Sequence, residues 1–392
     1  MRQNYDFDKE VCRRNTNSLK WEAGENELPM WVADMDFQTA PEILSAIRKR
    51  AEHGVFGYTV IPDAWYEAYS RWWKTRHGLN IWKEWLVFCT GVVPAISSIV
   101  RKLTTPAEKV LVQPPVYNIF YNSIINNGRQ VLESPLCYDG RSYQIDFHDL
   151  EKKLSDPQTT LMILCNPHNP VGRIWDRQEL EKIGELCRKY HVRVISDEIH
   201  CDLTAPGCSY TPFASVSEKC RSNSITCLAP TKAFNLAGLQ TAAVVVPDEN
   251  LRHKVWRGLN TDEVGEPNAF AVEGAIAAFT KGDGWLDALR EYVFENKRLA
   301  ERFIQKEIPF IQAVPSQATY LLWLDCRGLA VPAKQAAELI RAKTGLYLSS
   351  GGQYGSGGEG FLRMNVACPR HIMEEGLQRL KRGVFLLREN ML

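Results

Sequence analysis

Between residues 85 and 248, short apolar runs that read as buried strands alternate with segments of helical period, and this alternation constrains the fold more than any other feature of the chain. WLVFCTG (85–91) leads into PAISSIVRKL (94–103), with Pro94 in the first helical turn, where its missing N–H costs nothing. KVLVQPP (109–115), the periodic YNIFYNSIINNG (117–128) and TLMILCNP (160–167) follow, then RQELEKIGELCRKYH (177–191), whose apolar positions Leu180, Ile183, Leu186 and Cys187 share one helical face. VRVISDE (192–198), SITCLAPT (224–231) and TAAVVVPD (241–248) complete the set of strands. Strands separated by helices predict an α/β fold with a mostly parallel sheet covered on both faces. Such sheets bind ligands beyond the carboxyl ends of their strands, and the pattern sets Gly91, Asn169, Asp197 and Lys232 along that edge.

The last third changes character. Two amphipathic stretches, GWLDALREYVFENKRLAERFIQKE (284–307) and AKQAAELIRAKTG (333–345), flank the strand-like ATYLLWLDC (318–326). A glycine-rich stretch, SSGGQYGSGGEG (349–360), reads as a mobile loop before another strand and a closing helix. The chain of 392 residues is long for one core, and we expect a large domain over residues 49–280. A smaller α+β domain is expected over 281–392, with residues 1–48 contributing to it.

A formal net charge of +1 with dispersed basic residues leaves no footprint for a phosphate backbone, which argues against nucleic acid as a partner. No run approaches the roughly 18 apolar residues of a membrane span, and the start MRQNYDFDKEVCRR has no apolar signal core. The eleven cysteines form no C-x-x-C pair and read as reduced thiols, so the expected location is the cytoplasm. Cys201 and Cys208 near His200 could ligate a metal, but no second spaced cluster accompanies them and no metal site is expected.

Three segments carry the chemistry: LCNPHNPVGR (164–173), SDEIH (196–200) and APTKAFNLAGLQ (229–240), each at a predicted strand end. Together with LPMWVADMDF (28–37), FGYT (56–59), TGVVPAIS (90–97), PPVYNIF (114–120) and FLRMNVACPR (361–370), they span nearly the whole chain. In this order they resemble the fold-type I pyridoxal-phosphate enzymes of the aminotransferase class I/II superfamily, and more closely the cystathionine β-lyase branch of the MalY/PatB type.

The resemblance implies pyridoxal 5'-phosphate as cofactor and a role for each matching residue. Lys232, after an apolar strand, is similar to the amine that holds the cofactor's aldehyde, and partial burial would lower its pKa. Asp197 matches the carboxylate paired with the pyridine nitrogen, although an acid at a strand end is also a common helix cap. Asn169 and His200 match groups directed at the ring's phenolic oxygen, and Tyr117 matches the aromatic stacked on the ring, its hydroxyl within reach of the reacting groups. Gly91, Val92 and Val93 would offer backbone N–H groups to the phosphate, Thr231 a hydroxyl, and Tyr58 would reach it from a neighbouring subunit. The active site would then lie at the interface of a homodimer. Arg363 matches the arginine that binds the substrate α-carboxylate, and Ala33 the backbone contact across from it; Tyr58 would also face the substrate. The broad pattern of the superfamily has serine three residues before the lysine and arginine eight after it, whereas this chain has Ala229 and Gln240.

The implied reaction begins with Lys232 as base at the Cα proton of an amino acid. A thiolate leaving group at Cβ then gives β-elimination from cystathionine or another cysteine S-conjugate, with pyruvate, ammonia and a thiol as products. Return of the proton to the cofactor gives transamination instead, and the same residues serve both outcomes. A regulatory or binding protein of the same fold is the alternative of another class, but the presence of Lys232, Asp197 and Arg363 argues for catalysis.

Overall fold

The computed structural model describes residues 5–329 and 331–389. Residues 1–4 of the expected N-terminal segment, and positions 330 and 390–392 of the expected small domain, lie outside the described residues.

Seven strands build the main sheet: β1 (Leu86–Cys89), β2 (Lys109–Val112), β3 (Gln130–Glu133), β4 (Thr159–Cys165), β5 (Arg193–Asp197), β6 (Ser224–Leu228) and β7 (Ala242–Val245). Their order is β1-β7-β6-β5-β4-β2-β3. The pairings from β6 to β3 are all parallel, whereas β7 runs antiparallel to both β6 and β1. The sheet is therefore mixed, and the reason is local. A parallel return needs a crossover of about a dozen residues or more, usually helical. The 13 residues between β6 and β7 hold only the single short turn Ala237–Leu239, so the chain doubles back. That hairpin-like connection carries Lys232.

Neighbouring residues within the central strands point to opposite faces, as strand geometry requires. Val110, Ile163, Ile195 and Ile225 pack with Ile96 and Leu251 on one side. Leu111, Met162, Leu164 and Val194 pack with Leu180 and Ile183 on the other. Both faces are covered by helices, including Val92–Leu103 and Arg177–Lys189. The latter starts in a capping box between Asp176 and Glu179, which satisfies two otherwise free N–H groups. Register brings the strand ends together: Cys165 lies opposite Asp197, and Asp197 opposite Cys227.

A second, four-stranded antiparallel sheet is formed by β8 (Gln312–Ala313), β9 (Leu321–Asp325), β10 (Ser349–Ser350) and β11 (Phe361–Asn365), in the order β8-β9-β11-β10. Helices Asp283–Glu307, Ala333–Thr344 and Arg370–Glu389 accompany it. The N-terminal segment joins through Leu28–Pro29, which pair with Leu346–Tyr347. The molecule is thus α/β, with a large helix-covered sheet and a smaller α+β unit.

The glycine-rich stretch departs from its expectation as a mobile loop. Gly351–Tyr354 form a 3-10 turn, Tyr354 is buried, and its carbonyl accepts the Val116 N–H at 2.8 Å. Ser356 Oγ donates to Glu133. The glycines serve close packing: a Cβ on Gly351 would collide with the carbonyl oxygens of Gly358 and Phe361.

Candidate active site

A cavity of about 490 Å³ opens at the carboxyl edge of the main sheet, against the smaller unit. This size is ordinary for a small-molecule site. Lys232, Asp197, Asn169, His200, Tyr117, Gly91, Val92, Val93, Thr231, Arg363 and Ala33 all line it. Tyr58 does not; it stands fully exposed on a separate surface with Phe56 and Phe270.

Lys232 Nζ donates to the Ala33 carbonyl at 2.6 Å. Protein atoms enclose the amine while part of the side chain opens on the cavity, and this burial, with the Arg363 charge nearby, pushes its pKa down to about 8. Asp197 is buried, and burial raises its carboxyl to about 6 despite the Ile199 N–H donated to Oδ1 at 3.1 Å. No ion pair to Asp197 occurs among the described residues. A buried carboxyl in that state is a ready partner for a cationic N–H.

His200 is also buried, and burial followed by the charges of Lys232 and Arg363 lowers its pKa to about 3. The ring is therefore neutral, and its Nδ1 has no hydrogen-bond partner. Asn169 accepts Arg363 Nη1 at 3.2 Å through Oδ1, which leaves its amide N–H groups to face the cavity. Arg363 sits on β11, donates from Nη2 to the Trp31 carbonyl at 2.9 Å, and lies over the Tyr354 ring at 4.9 Å. Its buried Nε is unpartnered. Tyr117 packs edge-on against Phe120 at 5.6 Å, and burial, then Asp197, raises its hydroxyl to about 12.

Helix Val92–Leu103 begins at the cavity wall behind Gly91, with no side-chain cap on its first turn. Pro94 has no N–H to offer, so the free donors are those of Val92 and Val93. An uncapped helix start suits an anionic group. Gln240 also lines the cavity, where the superfamily pattern has arginine. The residues fit pyridoxal 5'-phosphate on three independent counts: an unpaired buried carboxyl, an orphaned imidazole nitrogen, and free amides at a helix start beside an amine of lowered pKa.

Further groups stand behind the cavity wall and hold the backbone that meets the lysine. Tyr320 Oη donates to the same Ala33 carbonyl as Lys232, at 2.9 Å. Asn365 Nδ2 donates to the carbonyls of Val32 and Asp34 at 2.6 Å each, and Asn235 Nδ2 to those of Met35 and Phe37. Arg13 and Lys20 pair with Asp34 and Asp36. These contacts hold the backbone of 31–37 against the lysine. Asn235 stands three residues from Lys232, a local signal; Tyr320 and Asn365 reach the site only through the second sheet.

The family of class I and II aminotransferases matches residues 25–380 of the chain. Cystathionine β-lyase PatB of Bacillus subtilis (strain 168) is 44% identical over 381 residues, covering 96% of this chain and 98% of that protein. The structure of cystalysin from Treponema denticola, which contains pyridoxal 5'-phosphate, superposes with a TM-score of 0.95 at 33% identity, covering 98% of this chain and 100% of the other. The pyridoxal-phosphate-bound C–S lyase from Staphylococcus hominis gives 0.90 at 35% identity, covering 97% and 99%. With the family's match over most of its length and the overall fold shared with these relatives, the chain belongs to the class I and II aminotransferase family of fold-type I pyridoxal-phosphate enzymes, closely related to cystathionine β-lyases of the MalY/PatB type.

Proposed function

We propose that this protein is a pyridoxal 5'-phosphate-dependent carbon–sulfur β-lyase that acts on L-cystathionine or other cysteine S-conjugates. The observation that carries the reading is the joining of Lys232 and Asp197 in one cavity, the amine lowered to about 8 and the carboxyl buried without a cationic partner. The similarity to lyases over nearly the full chain supports the choice of reaction.

When bound, the cofactor supplies an electron sink for the pair left at the substrate Cα. Lys232 would hold its aldehyde carbon, and Asp197 would face its ring nitrogen. His200 and Asn169 would serve its phenolic oxygen, Tyr117 its ring face, and Gly91, Val92, Val93 and Thr231 its phosphate. Arg363 takes the substrate carboxylate, with the Ala33 backbone across from it. The Lys232 amine, lowered to about 8, is neutral in a useful fraction near pH 8 and would take the Cα proton. The Cβ–S bond then breaks, and sulfur leaves with the bonding pair as a thiolate. Water completes the reaction to pyruvate and ammonia.

We further propose the division into residues 1–48, 49–280 and 281–392, and a homodimer in which Tyr58 reaches the partner's cofactor phosphate and substrate. The fully exposed Tyr58, beside exposed Val55, Phe56 and Val60, supports such an interface.

The test is incubation with L-cystathionine and no added keto acid. The expected outcome is pyruvate and homocysteine in equal amounts over many turnovers. Product formation only when a keto acid is supplied would assign the protein to amino-acid transamination instead.

A further inference from the structure

A backbone carbonyl has two lone pairs, and at Ala33 both are taken: Lys232 Nζ donates at 2.6 Å and Tyr320 Oη at 2.9 Å. Tyr320 is buried and comes from the smaller unit, one residue before β9. Its ring stands edge-on to that of His200, 6.1 Å away at 75°.

The chain reaches this position under strain. Thr319 lies at φ 66°, a left-handed conformation that a β-branched side chain resists. It is held there from three sides. The Thr319 N–H donates to the Leu203 carbonyl at 2.7 Å, and the Thr319 hydroxyl accepts the Leu321 N–H at 3.2 Å. The buried Lys297 amine, on the helix Asp283–Glu307, donates to the carbonyls of Ala318 and Thr319 at 3.1 Å each. Strain kept at a buried turn points to a task for the group it aims, which here is the Tyr320 hydroxyl.

Burial, then the Asp34 charge, raises that hydroxyl well above the ordinary tyrosine range, so it donates and keeps its proton. Two donors on one oxygen draw on the same electron density, and each weakens the other's bond. A weaker acceptor stabilises the ammonium form of a lysine less. Tyr320 thus leaves Lys232 a single line of approach to the oxygen and lessens that oxygen's hold on the charged amine.

We propose that Tyr320 is a positioning residue for Lys232: by sharing the Ala33 carbonyl it fixes where the free amine rests and eases the loss of its proton. The inference rests on Lys232 as the cofactor's amine and the base, and applies to elimination and transamination alike.

The test is Tyr320→Phe, which keeps the ring against His200 and leaves the Ala33 carbonyl bonded to Lys232. Cofactor-free protein is mixed with pyridoxal 5'-phosphate between about pH 6 and 10, and the rate at which visible absorbance appears is followed. The midpoint of that rate reports deprotonation of the amine, and its loss in Lys232→Ala assigns it. Arg363, Asp34 and Asp197 also act on this amine, His200 beside it is neutral, and the substitution alters none of them. The parent midpoint is expected near 8, and the variant midpoint about half a unit higher. On L-cystathionine near neutral pH, kcat is expected to fall about threefold, the same half unit read as a smaller neutral fraction, with KM little changed. A midpoint that stays in place overturns the proposal, and a lower thermal midpoint alone would mark Tyr320 as structural. Replacing Tyr320 by 3-fluorotyrosine, a stronger donor, is expected to move the pH midpoint down; movement up, or none, overturns the proposal. Absence of pyruvate from L-cystathionine would refute the lyase reading, and the two pH midpoints would still decide the role of Tyr320.

Discussion

At the scale of single residues, the site depends on charges kept short of partners. The Ala33 carbonyl, shared by Lys232 and Tyr320, accepts the lysine without adding a negative charge, so burial dominates and the amine remains easy to deprotonate. Replacing Lys232 by Ala is expected to remove the visible absorbance of the cofactor-loaded protein and to lower turnover by about 10²–10⁴-fold or more, both measured on one sample. Retention of both would mean that another amine holds the cofactor. Asp197 makes a prediction about pH. Its folded value of about 6 exceeds the ordinary carboxylate value of about 4, so between these limits the folded state keeps a proton that the unfolded chain has lost. Stability from this group is thus highest at low pH and declines as pH rises through the window. In cofactor-free protein, Asp197→Asn should be more stable than the parent above pH 6, with the gap closing toward pH 4. Urea midpoints at pH 4.5 and 7 measure this, and a gap independent of pH would contradict the assignment.

At the scale of elements, the glycine-rich stretch is where local pattern misleads. Glycine density reads as mobility when no packing partner is visible, yet here the partners are Glu133, Val116 and Trp323, distant in sequence. Tyr354, packed at right angles to Trp323, delivers its ring beneath Arg363. The stretch therefore positions the arginine proposed to bind the substrate carboxylate. Gly351→Ala is expected to cost about 1–3 kcal/mol by overpacking, read as a lower thermal midpoint, and to raise KM more than it lowers kcat. An unchanged midpoint would show that the turn has room to shift. Strand and helix positions in the main sheet were legible because alternation and helical period are local: the helix Arg177–Lys189 shows its apolar face in the sequence alone. The reversal of β7 was not, since a buried strand carries the same residues whichever way it runs.

At the scale of the whole molecule, the cavity lies where two sheets meet, with Asp197 and Lys232 from one and Arg363 from the other. The exposed apolar side chains of Val55, Phe56, Tyr58 and Val60 support the proposed homodimer. Sedimentation equilibrium is expected to give twice the 44.6 kDa chain mass. Tyr58→Ala should weaken cofactor binding about tenfold in a protein that still assembles, the size of effect expected for one hydrogen bond to a charged group. A monomer at micromolar concentration with full cofactor affinity would rule out the shared site.

The chain's sequence by itself determined the α/β class, the strands whose carboxyl ends lead into Asn169, Asp197 and Lys232, and the order of the motifs, because periodicity and turn chemistry act between residues close in the chain. Only the tertiary structure decided that Lys232 and Tyr320 share the Ala33 carbonyl, that Asn365 holds the backbone on either side of it, and that the glycine-rich stretch is packed. Those features come from contacts across hundreds of residues, and burial, which sets the amine and carboxyl apart from their ordinary pKa values, exists only once both sheets have closed around them.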